Sequence, residues 1–369
     1  MPEVFLTPVD SRARNRAARN SNLGGRSVVG RIALSVGLLA GLHIAVAAVA
    51  VSLGPVRIPV DHVVSVFLAP LGLEIGEYTR TEQLVIEQLR LPRVAVASLV
   101  GAALGVAGTT MQALFRNPMA DPGIIGVSAG GAAGAVLSIA FGLGRAFALA
   151  LPLFSFLGAM GAAVLVYGIS SVGGRTSMAT LLLAGVAVAA FLSAVVSAVV
   201  VLVPENAALR EILFWLAGGL DSRSWEHVRV AAPFILFGIA TISLLARDLN
   251  LLMLGDDDAR SLGVRVGLVR PVLIVAATMA TGVAVAVSGI IGFVGLVVPH
   301  VLRIVLGPDN RVLVPTSALA GALFLLIADT LARTVVQPAE MRVGIVTAFV
   351  GAPFFLFLLV RNKRSIVAL

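Results

Sequence analysis

The sequence predicts an all-α polytopic membrane protein with about ten transmembrane helices and both termini in the cytoplasm. Three observations lead there. Hydrophobic residues make up 59% of the 369, against about 45–50% in a soluble domain. Charged residues are only 12%. Apolar runs of bilayer-spanning length, about 20 residues each, recur along the chain. The 38 glycines and 17 prolines suit this class, because spanning helices tolerate both. With no cysteine present, disulfides, thiolate metal sites and cysteine nucleophiles are excluded. The net charge of +8 is spread over loops and tails. It reads as a membrane-orientation signal and not as a nucleic-acid surface.

Taken in order, residues 1–30 form a polar tail carrying Arg12, Arg14, Arg16, Arg19 and Arg26. Its composition predicts disorder, and basic residues before a first span predict a cytoplasmic N-terminus. The first apolar run is of span length and lacks a small-residue cleavage site, so it is no signal peptide. A single transmembrane domain follows over 31–361, with spans near 31–53, 93–115, 122–142, 147–170, 179–203, 230–247, 270–288, 291–306, 312–332 and 343–361. The eighth is short and reads as a segment packed inside protein. Ten crossings return the C-terminal tail, 362–369, to the cytoplasm. The larger share of the 27 basic residues then falls on the cytoplasmic side, as orientation requires.

Residues 90–131 carry the most specific pattern. The span after Arg93 has Gly101, Gly105 and Gly108 on one side, which lets helix backbones approach closely in a membrane. Asn117-Pro118 and Asp121-Pro122 then force a short turn before a second glycine-rich span. On the outer side lie Arg90, Arg93, Arg210, Arg223, Arg333 and Arg342. Such a surface suits an acidic protein partner; the simpler reading is pairing with lipid phosphate or with Glu87.

Two connections are too long for turns. Residues 204–229 lie outside and hold both tryptophans, Trp215 and Trp225, as an interfacial belt or as part of a short helix ended by Gly218-Gly219. Residues 247–269 are cytoplasmic. There Gly255 breaks the chain, Asp256, Asp257 and Asp258 suit a helix start, and Gly263 ends a helix of under two turns. The three aspartates read as helix-start charges and not as a metal site, because no partner ligands accompany them.

The chemistry absent from the sequence is equally informative. No Walker phosphate loop, HExxH or GxSxG motif occurs, so no ATP hydrolysis or hydrolase chemistry is expected of this chain. The four histidines are far apart; His300 reads as a hydrogen-bonded residue of the bundle in preference to a haem ligand. Asp329 stands one helical turn from Arg333 and can pair with it. That single intramembrane acid is thin support for an ion-coupled carrier.

The order RLPR (90–93), glycine-rich span and MQALFRNPMADPGIIGVS resembles the FecCD-like permeases, the membrane subunits of ABC importers for ferric siderophores, haem and cobalamin. LLLAGVAV (181–188), FWLAGGLDSRSW (214–225), LGDDDARSLGV (254–264), GFVGLVVPHVLR (292–303), ADTLAR (328–333) and VGIVTAFVGAPFF (343–355) follow in that family's order. The resemblance implies the type II importer fold in a multi-pass bacterial cytoplasmic-membrane protein. The implied assembly is a permease homodimer in lipid, with two ATPase subunits below and a substrate-binding protein above.

It further implies that Arg90, Arg93 and Arg333 grip glutamates of the binding protein. Residues Gly255, Asp256, Asp257, Asp258, Ala259, Arg260, Ser261, Leu262 and Gly263 would form the helix that couples to the ATPase. Asn117 and Met119 opposite Met178 and Ala179 would form the inner gate. Phe214, Trp215, Gly218 and Gly219 would belong to the outer gate. The chain itself would bind no cofactor or metal; ATP and Mg2+ would be used by the partner. An iron chelate, haem or ferric siderophore, is the expected cargo, with cobalamin as the alternative. Met178-Ala179 departs from the hydroxyl residues of a cobalamin member, and Met341-Arg342 departs from the family's usual Leu-Pro.

Overall fold

The computed structural model describes residues 28–54, 57–69, 76–145, 147, 149–172, 175–336 and 339–361. The expectations for residues 1–27 and 362–369 lie outside the described residues. Along the chain come α1 (Val28–Ser52), α2 (Val60–Leu68), α3 (Arg80–Leu114), α4 (Val127–Ala140), α5 (Ala150–Ser170) and α6 (Met178–Leu202). These are followed by α7 (Asn206–Leu216), α8 (Trp225–Leu244), α9 (Ala246–Leu252), α10 (Asp256–Ser261), α11 (Val266–Ser288), α12 (Val294–Leu306), α13 (Asn310–Thr334) and α14 (Val343–Arg361). Two-residue strands, Ser171–Val172 and Arg175–Thr176, pair antiparallel in the hairpin between α5 and α6.

Seven of the described helices, α1, α3, α5, α6, α8, α11 and α13, are long and apolar enough to cross a membrane. Three further apolar helices, α4, α12 and α14, occupy the other three predicted crossings. The described residues therefore form a multi-pass helical bundle, with that one short hairpin as its only strand pair.

α3 is its axis, buried over most of its length. Its glycines explain why. A methyl group at Gly101 would collide with the Gly321 carbonyl, and one at Gly105 with the Ser317 carbonyl, both on α13. One at Gly108 would strike the Gly295 backbone of α12. Thr109 Oγ1 adds a hydrogen bond of 2.8 Å to Ser317 Oγ. Close backbone contact and interhelical hydrogen bonds replace the hydrophobic drive that lipid removes. Two apolar cores flank this axis. One packs Val106 and Met111 with Leu249 and Leu273; the other packs Val96 and Val100 with Ala50 and Leu326.

Several boundaries differ from those expected. α3 starts at Arg80, well before residue 93. Thr79 and Glu82 close a capping box at its start, with Thr79 N donating to Glu82 Oε2 at 2.7 Å. The helix passes Pro92 because residues Val85–Arg90 widen into a π turn, which absorbs the missing donor and ring clash of proline. The third span is broken. A 3-10 turn at Pro122–Ile125 ends at left-handed Gly126 (φ 80°) before α4 begins. The eighth is shorter than expected: residues 289–293 are not helical, and α12 begins only at Val294, after Phe293 at φ 68°. Gly295 lies against Leu104, Gly108 and Pro122, so this N-terminus opens beside the middle of α3.

Candidate functional site

The chemistry concentrates at the two ends of the bundle and in an open apolar groove. At one end, Asp329 of α13 is fully buried. It accepts hydrogen bonds from Arg93 Nε at 3.0 Å and Arg93 Nη2 at 2.9 Å. Arg333 Nε stands 3.2 Å from its other oxygen, the one-turn pairing read from sequence. Arg93 Nη1 also binds Glu340 at 2.9 Å, and Glu340 is exposed.

Arg90 and Arg333 do not face outward as expected; they are 6% and 3% exposed. Arg90 Nη1 donates to the carbonyls of Val51 and Ser52, and Arg333 donates to those of Ala50 and Leu53. The last carbonyls of α1 lack intrahelical donors and attract cations, which explains the inward turn. Glu87 is not their partner. Its side chain accepts from Gln83 Nε2 at 2.9 Å, while its backbone carbonyl accepts from Trp225 Nε1 at 2.8 Å.

The expected outer-gate residues lie at this same end. Trp215 is 7% exposed and is packed with α4, so it is no interfacial belt residue. Gly218 takes φ 66°, and a methyl there would strike the Ile290 carbonyl. Gly219 N donates to the Ser288 carbonyl at 2.8 Å, and Gly344 N to the Gly218 carbonyl at 3.2 Å. The end of α7 is thereby stitched to the end of α11 and the start of α14. Arg342, unassigned by the sequence, pairs with Asp221, and its guanidinium carbon lies 4.3 Å from the centre of the Phe214 ring.

Next to it lies an open groove of about 650 Å³ whose lining includes Leu216, Ile290, Phe293, Ile345 and Phe349. No charged side chain among the described residues lines it. Gly292 and Phe293 of its wall lead directly into the first turn of α12.

At the opposite end, the turn after α3 holds Asn117 and Met119, both exposed. Asn117 Oδ1 accepts from Met119 N at 2.9 Å. Met178 and Ala179 begin α6, whose N-cap Ser177 accepts from Thr180 N. Between the two pairs of expected gate residues, the 3-10 turn packs on α6, with the Ile124 carbonyl directly on Gly185. No hydrogen bond among the described residues joins the pairs directly.

α10 projects from this end. Gly255 precedes it at φ 135° and Gly263 follows it at φ 90°, both backbone states that glycine tolerates. Asp257 and Asp258 are exposed, while Ala259 is fully buried. Asp256 turns back to Arg270 of α11, whose Nη1 donates at 2.8 Å. That hydrogen bond, ahead of the nearby arginine charges, holds the Asp256 carboxyl below its ordinary pKa. α9 is tied to α13 through Asn250, whose Nδ2 donates to Asp309 Oδ1 at 2.7 Å. Asp309 also binds Arg311, and its pKa falls to about 2.

Arg116 closes α3 in the left-handed region, φ 49°, which costs a non-glycine residue roughly 1–2 kcal/mol. Sequence reading missed it; its position immediately before Asn117-Pro118 was the available signal. Among the described residues no group of three His, Asp or Glu side chains could hold a metal. His300 lacks the expected hydrogen bond: its Nε2 is buried without a partner.

Comparison with known proteins places this arrangement. The FecCD transport family matches residues 42–361. The cobalamin import system permease of Halobacterium salinarum is 44% identical over 82% of this chain and 79% of its own. The hemin transport system permease of Yersinia pestis is also 44% identical, over 75% and 83%. The Fe(3+)-citrate import permease of Bacillus subtilis is 41% identical over 77% and 83%. A solved inward-facing structure, described as a metal-chelate type ABC transporter, superposes with TM-score 0.77 at 32% identity, covering 88% of this chain and 98% of that one. A multi-pass bundle built on these motifs, matched over most of its length in sequence and in shape, belongs to the FecCD transport family of ABC importer permeases of the cytoplasmic membrane.

Proposed function

We propose that this chain is the passive conduit of an ATP-driven importer for an iron chelate, haem or a ferric siderophore. The observation that carries the reading is the open apolar groove of about 650 Å³, with no charged side chain among its described lining residues. That volume falls within the range of about 300–1,000 Å³ for small-molecule sites. The N-terminus of α12 beside it favours cargo with carboxylate or other anionic groups. Cobalamin is the second reading, favoured by the Halobacterium relative; the departure at Met178-Ala179 weighs against it.

In this proposal two copies assemble through α6 and α14. α6 leaves Leu183, Phe191 and Val201 exposed, and α14 leaves Phe349 exposed. ATP and Mg2+ act in two separate ATPase subunits, which seat α10, its flanking Gly255 and Gly263, and Leu262. That end, with both termini, is cytoplasmic. A binding protein docks on the other end over the Arg90, Arg93 and Arg333 cluster, with Arg90 and Arg333 buried behind the contact surface. Arg93 is the member within reach, because an incoming carboxylate can replace exposed Glu340 on it.

Cargo is tested in proteoliposomes carrying the assembled importer and its binding protein. Haem, a ferric siderophore and cobalamin are offered as labelled substrates. Uptake of an iron chelate in preference to cobalamin is expected. Preference for cobalamin would transfer the assignment to the second reading.

A further inference from the structure

α3 closes with the hydrogen-bond pattern that usually requires glycine. Arg116 N donates to the Ala113 carbonyl at 3.2 Å, and Asn117 N donates to the Gln112 carbonyl at 3.1 Å. The residue between these bonds must turn left-handed, and here it is Arg116 at φ 49°. Backbone needs alone do not select arginine at such a position.

Its side chain does something glycine cannot. Arg116 Nη2 donates to the Leu252 carbonyl at 3.1 Å and stands 3.6 Å from Asp256 Oδ1. Leu252 ends α9 and Asp256 begins α10, so one guanidinium touches both sides of the loop that carries α10. Asp256 in turn meets arginines on three elements: Arg116 after α3, Arg260 of α10 at 3.9 Å, and buried Arg270 of α11. Arg270 is the anchored partner, since its side chain is 8% exposed against 45% for Arg116. Arg116 is the partner free to shift, and it immediately precedes Asn117 and Met119.

We infer that Arg116 is a positioning residue that transmits displacement of α10 to the turn bearing Asn117 and Met119. The inference rests on the reading of α10 as the ATPase-coupling helix. Movement of Asp256 and Leu252 pulls one guanidinium, and the strained backbone beneath it reorients the gate turn. Conformational coupling of this kind needs an element that both sites bias; the left-handed cap held from α9 and α10 is that element.

Arg116→Gly tests it without harming the fold, because glycine satisfies the left-handed cap. The assembled importer with its ATPase and binding protein is reconstituted, and ATP hydrolysis and cargo uptake are measured together. Expected is normal assembly, hydrolysis within about twofold of native, and cargo moved per ATP reduced about tenfold, the factor one charge-assisted hydrogen bond carries. Arg116→Lys, which keeps the charge but not the fork, should fall between. Native cargo per ATP in Arg116→Gly would overturn the role of Arg116. Leu262→Asp separates the two ideas: if it also leaves hydrolysis and uptake coupled, the coupling-helix reading fails, and otherwise only the Arg116 link does.

Discussion

Asp329 offers the sharpest test of how the end of the bundle around Arg93 and Arg333 is held together. Asp329→Asn keeps the side-chain shape and removes the charge. It leaves Arg93 and Arg333 in a bundle interior where Asp329 itself is fully buried. Breaking a buried ion pair from one side costs about 3–5 kcal/mol, because the stranded charge stays desolvated. The structure argues for the lower end of that range. Arg333 keeps the carbonyls of Ala50 and Leu53, and Arg93 keeps Glu340.

A loss of about 3 kcal/mol corresponds to roughly a hundredfold in the folding equilibrium. Reversible unfolding in mild detergent micelles, followed by fluorescence of the two tryptophans, measures it. Adding Arg93→Met to Asp329→Asn should recover part of the loss, since the stranded cation is gone. A change below about 0.5 kcal/mol in the single variant, the scale of an ordinary surface substitution, would refute the reasoning.

Three other outcomes follow from the same geometry. Gly101→Ala presses a methyl onto the Gly321 carbonyl, and should cost about 1–3 kcal/mol by overpacking. Gly161→Ala, with nothing within 4 Å, is the control, and equal yields of monodisperse protein would contradict the packing account. Asp309, with its pKa lowered to about 2, contributes stability that is present above the ordinary carboxylate pKa of about 4 and lost as pH falls toward about 2. Asp309→Asn should flatten the stability–pH curve within that window. Arg342→Ala removes both the Asp221 pair and the Phe214 ring contact, worth about 1 kcal/mol together; the assembled importer should then leak cargo through its outer mouth, and an unchanged leak would remove Arg342 from the gate.

What the sequence made legible is local or periodic. The glycines on one side of α3, the one-turn spacing of Asp329 and Arg333, and the glycines bracketing α10 each follow from spacing along a single helix. The partner of Asp329 that makes the better hydrogen bonds, Arg93, lies 236 residues away, and no periodicity reports such a contact. Burial of Arg90 and Arg333 was hidden for a related reason. An arginine at the end of a span reads as outward-facing unless a neighbouring helix is known to end beside it, and α1 does. The start of α12 was blurred because Ile290 and Ile291 continue the apolar pattern while Gly289 and Phe293 leave helical geometry. Hydrophobicity reports burial, not backbone state. The family motifs raised the expectation of gate turns and a coupling loop; they assigned no role to Arg342 or Arg116, whose contacts depend on what faces them across the bundle.

The most direct test of the account is uphill transport by the purified chain, reconstituted first alone and then with an ATPase partner and a binding protein. Alone, under an ion gradient and with external cargo, it should accumulate nothing; with both partners, Mg2+ and ATP, accumulation should begin. Concentrative uptake by the isolated chain would show that it carries its own energy source, and would contradict the reading of the path as a passive conduit.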